Sequence, residues 1–254
     1  RTQWTGLDGA PTTINFGLHT PVGEKVGLGL NIVHDEIFIT SETSFDAQFS
    51  YGLDLSDNTR LALGIRAGGQ LLNIDSDRAR GPYQNDELSV FNTNKFAPQV
   101  GTGAYLYSER FYLGLSVPNL LATEHFDGSM VDTGTVRASE EQANFYLMSG
   151  YVFDAGNNIK FKPALLARAT SGAPMQLDLS ANFLFGDTLT LGAAYRFGAA
   201  VSALAGFQLS DNFMIGLAYD WETTQLAQYN GGSFEAFLRF EVFKKTRFNE
   251  FTNP

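Results

Sequence analysis

Cysteine is absent from this 254-residue chain, and proline, with 8 residues, is scarce. The lack of cysteine excludes disulfide bonds, thiolate metal sites and a cysteine nucleophile. No run approaches the roughly 18 consecutive apolar residues that a membrane-spanning helix needs. Basic residues are also few, with 17 Lys and Arg against 27 Asp and Glu, and the net charge of −10 argues against a surface that binds nucleic-acid phosphates.

Motifs for catalysis and metal binding are missing as well. The three histidines, His19, His34 and His125, fall on one predicted strand and two predicted loops, without the short spacing of a metal-binding helix or zinc finger. The chain has no G-x-S-x-G elbow, phosphate-binding loop or dinucleotide fingerprint. We therefore predict that the protein is not an enzyme and uses no metal or other cofactor.

Alternation of apolar and polar residues is the dominant pattern. Within Met175–Phe185, one phase is apolar and the other polar, as in Leu177, Leu179 and Phe183 against Gln176, Asp178 and Ser180. A period of two indicates β-strands, because successive side chains point to opposite faces of a sheet. The 26 glycines fall mostly inside such runs, which suits strands that curve.

The same alternation recurs along the whole chain and predicts about 14 strands. The first of them is the stub Arg1–Trp4, interpreted as the end of a strand that begins upstream. The others are Thr13–Pro21, Val26–Val33, Ser44–Asp54, Arg60–Leu72, Phe96–Tyr107, Phe111–Val117, Asn144–Asp154, Ile159–Arg168, Met175–Phe185, Leu189–Phe197, Val201–Leu209, Phe213–Trp221 and Phe234–Phe243.

Two architectures accommodate such strands. A soluble β-sandwich buries the apolar phase against a second sheet, whereas an outer-membrane barrel turns this phase to lipid. Tight turns alternate along the chain with mostly longer loops, and apolar phases end in aromatic residues such as Tyr219 and Trp221. Both features are typical of bacterial outer-membrane barrels. The prediction is a single all-β domain over residues 1–254, a transmembrane antiparallel up-and-down β-barrel with short periplasmic turns and long extracellular loops.

The polar phase would then line the barrel lumen. The turn FGDTL keeps Phe185 and Leu189 on the same phase, which places Asp178 opposite Arg196 and predicts a lumenal ion pair. The other charges of this phase, which include Asp46 and Arg66, have two interpretations, a permeation path or structural ion pairs. The lumen is open, plugged by loops or filled by a partner.

Most of the negative charge falls in four predicted extracellular loops. Net charges are −3 for His34–Ser44, −1 for Asn73–Lys95, −4 for Pro118–Gln142 and −1 for Trp221–Ser233, a total of −9. Loop solubility explains this acidity, and the alternative is a docking surface for a basic partner or for bridging divalent cations. The candidate docking residues are Glu124, Asp127, Asp132, Glu140 and Glu141.

The first residues, RTQWTGLDGAPTTINFGLHTPV, resemble the PorP/SprF family of Bacteroidota outer-membrane proteins. The shared pattern is an R-x-Q-W strand end, a G-x-x-G-A-P turn and a Thr-rich strand. Weaker similarity in VGLGLNIVHDEI, FAPQVGTGAYLYSERFYLGLSVPNLL and FEVFKKTRFNEF extends the resemblance over nearly the whole chain. Members usually carry a further N-terminal stretch, so we expect a signal peptide and an N-terminal segment upstream of Arg1.

The resemblance implies a non-enzymatic barrel of the type IX secretion system, with a role in gliding motility in many members. It implies the outer membrane as location, with both termini periplasmic. The implied partners are a secreted type IX substrate or surface adhesin, other type IX secretion components and outer-membrane lipid. Two roles stay open, a surface anchor and a periplasmic-side secretion component.

The signature residues are candidates for partner binding, although turn geometry alone also explains the glycines and the proline. They are Arg1, Gln3, Trp4, Gly6, Asp8, Gly9, Ala10 and Pro11. The alternative function for the barrel is an outer-membrane diffusion or hydrophobic-compound transport channel resembling the long-chain fatty-acid transporters.

Overall fold

The structure, a computed structural model, describes residues 1–75, 93–121 and 142–242. These residues form one antiparallel sheet of fourteen strands. The only other regular element within these ranges is the short 3-10 helix Gln225–Gln228. The strands are β1 (Thr12–Val22), β2 (Val26–Ile37), β3 (Thr40–Ser56), β4 (Thr59–Ile74), β5 (Thr93–Ser108), β6 (Phe111–Val117), β7 (Asn144–Tyr151), β8 (Phe153–Gly156), β9 (Ile159–Thr170), β10 (Gln176–Phe185), β11 (Leu189–Arg196), β12 (Ala200–Ser210), β13 (Phe213–Glu222) and β14 (Ser233–Phe240).

The sheet follows the sequence in an up-and-down order, which confirms the all-β antiparallel prediction. Each strand pairs with its neighbour in the chain, except that β7 and β8 both pair with β9. The described path begins at β1 and ends at β14, and Thr2 links these two strands through single bridges to Thr12 and Phe234. Among the described residues, no helix is long and apolar enough to cross a membrane.

One predicted strand is two strands in the structure. The prediction of a continuous strand over Asn144–Asp154 is wrong, because the chain leaves the ladder at Val152, whose N–H donates to the Arg110 carbonyl at 2.7 Å. The count of fourteen is therefore reached differently from the prediction. The break adds β8, whereas the predicted strand Arg1–Trp4 contributes only the bridges of Thr2.

The prediction that His34–Ser44 form a loop is also wrong. β2 continues to Ile37 and β3 starts at Thr40, so the connection is a two-residue turn in which Phe38 has φ 53°. The His34 Nδ1 and Thr43 Oγ1 atoms are 2.8 Å apart across this extension, which places His34 on a strand. Polar residues occupy both phases here, so the period-two signal disappears although the ladder continues.

The connections at the two ends of the sheet differ in length. At one end, which we call the turn end, they are residues 23–25, 57–58, 109–110, 157–158, 186–188 and 211–212. At the other, the loop end, they are 38–39, 75–92, 118–143, 171–175, 197–199 and 223–232. The short turns agree with the prediction, whereas the loop end combines long connections with tight ones.

Candidate functional site

The two faces of the sheet are inverted relative to a soluble protein. Leu217 and Ile65 on one face are 64% and 61% exposed, whereas Asp46 and Gln70 on the other are 4% and 2% exposed. We call these the outer face and the inner face. Apolar burial is worth about 25 cal/mol per Å². A sheet with its apolar phase outside is therefore stable only in an apolar surrounding, which is lipid rather than the second sheet of a sandwich.

Aromatic side chains form a band on the outer face near the turn end. Rings of Tyr151, Phe153, Phe161, Phe183 and Phe185 follow one another with centroid separations of 4.6, 6.1, 4.7 and 6.3 Å. A second group lies toward the loop end, where the Tyr195–Phe197 and Tyr219–Phe234 centroids are 5.0 and 4.8 Å apart. Aromatic residues in two bands are typical of the two membrane interfaces.

Glycines on the inner face make room for larger neighbours. A Cβ on Gly150 would lie 2.5 Å from the Tyr112 ring, and one on Gly216 would lie 2.1 Å from the Phe237 ring. Both rings therefore occupy the space that a side chain on the neighbouring strand would fill. Side chains crowd on the concave side of a curved sheet, so this distribution fits inward curvature.

A hydrogen-bonded cluster occupies the inner face of β3, β4 and β5, and we call it the inner polar cluster. Gln48 Nε2 donates to Asp46 Oδ1 at 2.8 Å, and the Arg66 guanidinium lies 3.4 Å from Asp46 Oδ2. Arg66 also donates to Gln99 Oε1 at 2.9 Å, and Gln99 donates to Gln70. Sheltered polar groups are stable only when they are paired, as most of these are.

Two glycines allow this cluster to form. The backbone register places Gly68 between Asp46 and Gln99, and Gly101 next to Arg66. Gly68 lets β3 approach so closely that a Cβ there would meet the Phe45 carbonyl oxygen at 1.9 Å. The sequence predicted Asp46 and Arg66 as lumen-phase charges but did not identify Gln70 or Gln99. Gly68, which faces Gln99 across β4 and β5, is the signal that could have found Gln99, whereas Gln70 faces Ser44 and Ala97 and carries no such signal.

The register predicted from the FGDTL turn is present, with Asp178 opposite Arg196 and Asn182 opposite Gly192. Arg196 Nε lies 3.1 Å from Asp178 Oδ1 and 3.2 Å from Oδ2, and a second nitrogen is 3.2 Å from Oδ2. Asp178 and Arg196 belong to the same phase as the inner polar cluster. The contact is bidentate, because two nitrogens of Arg196 meet the carboxylate of Asp178. It is also partly buried, since the side chains of Asp178 and Arg196 are 17% and 35% exposed.

We expect this pair to contribute about 0.5–1 kcal/mol, at the upper end of the range for partly solvated pairs. A double-mutant cycle with Asp178→Asn and Arg196→Gln, measured by reversible urea unfolding in lipid, gives the coupling energy. The control is Arg110 and Asp154, whose atoms are 2.6 Å apart but whose side chains are 55% and 59% exposed. A larger coupling energy for this exposed pair would contradict the interpretation that partial burial strengthens the Asp178–Arg196 pair.

The N-terminal segment fastens the first and last strands together. Arg1 reaches Asp220 at 2.6 Å and Glu235 at 3.7 Å, and the Trp4 indole N–H donates to Glu222 at 3.3 Å. The Thr5 N–H donates to the Gly232 carbonyl at 2.9 Å. The hydroxyl group of Thr13 on β1 donates a hydrogen bond to the carboxylate of Asp35 on β2. Arg1 and Trp4, proposed as partner-binding residues, thus have intramolecular contacts at the loop end.

The turn that follows packs against the β2–β3 hairpin. Gly6 and Gly9 have φ values of 95° and 72°, which favour glycine. The Phe38 N–H donates to the Gly9 carbonyl at 3.0 Å, and a Cβ on Gly9 would lie 2.8 Å from the Phe38 ring. Of the other signature residues, Gln3 donates through its N–H to the Pro11 carbonyl at 2.9 Å and Ala10 to the Leu7 carbonyl at 3.3 Å, while Asp8 is exposed. Gly6 to Pro11 therefore form a compact turn.

The proposed docking residues Glu124, Asp127, Asp132, Glu140 and Glu141 lie outside the described residues. The connections that contain the predicted docking loops leave the sheet at Ile74 and Val117 and return at Thr93 and Asn144, all at the loop end. Within the described ranges, no group of three or more His, Asp or Glu residues is placed to hold a metal ion.

A model of the family described as type IX secretion system membrane protein PorP/SprF matches residues 1–240. The chain belongs to the PorP/SprF family. The match extends from the signature segment to the last described strand, and it confirms the family predicted from the N-terminal motif. Because the chain belongs to this family and its sheet has the apolar face outside, the protein is an outer-membrane component of the type IX secretion system.

Three solved structures are similar to the chain at low sequence identity. A Pseudomonas aeruginosa FadL homologue is 12% identical, with 89% of this chain and 74% of that chain covered and a TM-score of 0.47. Two mutants of the Rh. blastica porin are 12% and 13% identical, with 91% of this chain and 89% of theirs covered and a TM-score of 0.36. No curated protein matches the chain.

Proposed function

We propose that this PorP/SprF protein is a closed outer-membrane barrel that binds a secreted cell-surface protein, such as a gliding adhesin, and anchors it or assists its export. The single observation that carries the proposal is the inversion of the sheet, with exposed Leu217 and Ile65 outside and sheltered Asp46 and Gln70 inside. Family membership supplies the link to type IX secretion. In this proposal residues 1–254 are one domain and both termini are periplasmic.

The loop end is the side on which we place the partner. Short turns face the periplasm in bacterial outer-membrane barrels, so the long connections 75–92 and 118–143 would be extracellular. Carboxylates at Glu124, Asp127, Asp132, Glu140 and Glu141 would attract a basic surface and make association sensitive to salt. Arg1 and Trp4 instead hold the N-terminal segment to β13, where they pair with Asp220 and Glu222, and Thr2 bridges to Phe234 on β14.

Deletion of the gene tests this function. We expect one large type IX substrate to appear in the medium or to remain unexported, while other substrates reach the surface normally. Comparison of cell-surface and medium proteomes between the deletion strain and its complemented parent provides the measurement. A surface-retained substrate that co-purifies with the barrel would support the anchoring role over the periplasmic-side role.

Charge variants locate the docking surface. Replacement of the five loop carboxylates by Asn and Gln should weaken partner capture from native membranes and reduce its dependence on salt. The matched control neutralises turn-end carboxylates, Asp57, Asp154 and Asp187, which should leave capture unchanged. An unchanged surface proteome in the deletion strain, together with passage of small solutes by the purified barrel, would reject the adaptor in favour of a channel.

A further inference from the structure

A small cavity opens on the outer face of the sheet at the loop end, and we call it the outer-rim pocket. Its volume is about 270 Å³, close to the lower limit of about 300 Å³ for small-molecule sites. Strands β2, β3 and β4 and the turn between β2 and β3 supply its walls. The residues that line it include His34, Glu36, Phe38, Ser41, Asn73 and Asp75.

The outer-rim pocket lies directly above the lipid-facing part of the wall. His34 follows Ile32 on the outer face of β2, and Asn73 follows Leu71 on that of β4. Ile32 and Leu71 are exposed apolar side chains. One such step is about 6.6 Å along a strand, or about 5 Å across the membrane at a tilt of about 40°. Because the head-group layer is about 5–8 Å thick on each side of the hydrocarbon core, the pocket lies in that layer.

Two carboxylates, on either side of β3, line the pocket. Glu36 on β2 pairs with Ser41 on β3, which pairs with Asn73 on β4. Asp75 directly follows β4, and its N–H donates to the Ile39 carbonyl at 2.9 Å. A carboxylate accepts up to about four hydrogen bonds, so each can bind a cationic donor besides its protein neighbours. The lining that the structure describes contains no Lys or Arg, so the pocket attracts a cation rather than a phosphate.

An aromatic ring at the rim adds a second means of binding a cation. Phe38 has a φ of 53°, unusual for a bulky residue, and its N–H donates to the Gly9 carbonyl at 3.0 Å. The ring is 56% exposed although it lies beyond the lipid-facing residues, and an aromatic face attracts ammonium groups. Across the described ranges, no group of three or more His, Asp or Glu residues could hold a metal ion, so the pocket suits an organic cation.

We propose that the outer-rim pocket binds the head group of a membrane lipid that carries an ammonium group. The ammonium group lies between Glu36 and Asp75 and against the ring of Phe38, and the acyl chains run along Ile32 and Leu71. A lysine of a partner protein offers the same ammonium group, but the pocket opens sideways above lipid-facing side chains, where lipid head groups surround the protein. The proposal rests on the membrane location in the proposed function and is independent of the secreted partner.

Native mass spectrometry of the purified protein, titrated with lipid in detergent, tests the pocket. Phosphatidylethanolamine should bind about tenfold or more tightly than phosphatidylglycerol with the same acyl chains, because only the former carries an ammonium group. N-acetylation of phosphatidylethanolamine removes this charge and should abolish the preference. The double variant Glu36→Gln/Asp75→Asn should bind both lipids equally. The matched control, Glu24→Gln/Asp57→Asn, removes the same charge from the turn end and should keep the preference.

Each outcome decides the proposal. A preference that disappears on N-acetylation and in the double variant, but not in the control, supports it. Equal binding of the two lipids by the unchanged protein overturns it, as does a preference that survives N-acetylation. If the double variant fails to fold, the N-acetylated lipid decides alone; if it folds and keeps the preference, the proposal is also overturned. No partner protein is present in the titration, so failure here leaves the surface-proteome test of the proposed function unaffected.

A lysine of the secreted partner would give a different pattern. The double variant would then lose partner capture from native membranes, while the unchanged protein would show no preference between the two lipids. This pattern overturns the lipid proposal and assigns the pocket to the partner.

Discussion

Leu217→Arg should lower the free energy of unfolding in lipid by about 2–4 kcal/mol, the cost of an arginine on the lipid face near the bilayer midplane. Leu217 is the central outer-face residue of β13, with Phe213 and Trp221 at the strand ends, and it faces Ala205 and Ala236. Neither neighbour offers a counter-charge, and the guanidinium is far from both interfaces. Reversible urea unfolding in liposomes measures the loss.

Position along the strand and choice of face provide the controls. Leu179 and Ile215 are also outer-face residues, but Leu179 faces Tyr195 and Ile215 faces Phe207, so each lies toward an aromatic band. Arginine at either should cost less than at Leu217. Ala218→Arg, on the inner face opposite Glu235, should cost least. Equal losses of unfolding free energy at Leu217 and Ala218 would contradict the assignment of Leu217 to the lipid-facing side and Ala218 to the inner face.

Gly68→Ala should destabilise the folded protein by about 3 kcal/mol, the upper part of the range for overpacking. The added Cβ would lie 1.9 Å from the Phe45 carbonyl oxygen and 2.6 Å from the Asp46 Cα. Both are backbone atoms, so no side-chain rotation relieves the clash and β3 must move away from β4. The inner polar cluster would then lose the contact between Asp46 on β3 and Arg66 on β4.

Gly64→Ala is the matched control, because Gly64 is on the same strand and the same face. A Cβ there would meet its nearest neighbours at 3.8 and 3.9 Å, which is ordinary contact. Alanine is also easier to order in a strand than glycine, so this variant should be neutral or stabilising by up to about 1 kcal/mol. A Gly68→Ala variant as stable as Gly64→Ala would show that the close approach of β3 and β4 is not required.

The local features of this fold were predictable from the sequence. Period-two alternation alone separates an outer from an inner face, because strand geometry forces successive side chains to opposite sides. The register of Asp178 and Arg196 was equally predictable, since a tight turn between β10 and β11 leaves only one pairing that keeps Phe185 and Leu189 on the same face. The family signature identified type IX secretion, which the family match confirms.

Other features depend on residues that are far apart in the chain or on the shape of the sheet. Arg1 contacts Asp220 on β13 although 219 positions separate the two residues, and Thr2 forms a bridge with Phe234 on β14; no local pattern records these contacts. The inner polar cluster requires three strands in one register with Gly68 beneath it. The extension of β2 and β3 past His34 has no alternation to reveal it, because both phases are polar. Local periodicity therefore determined strands and faces, whereas long-range pairing decided the fastening, the inner polar cluster and the strand ends.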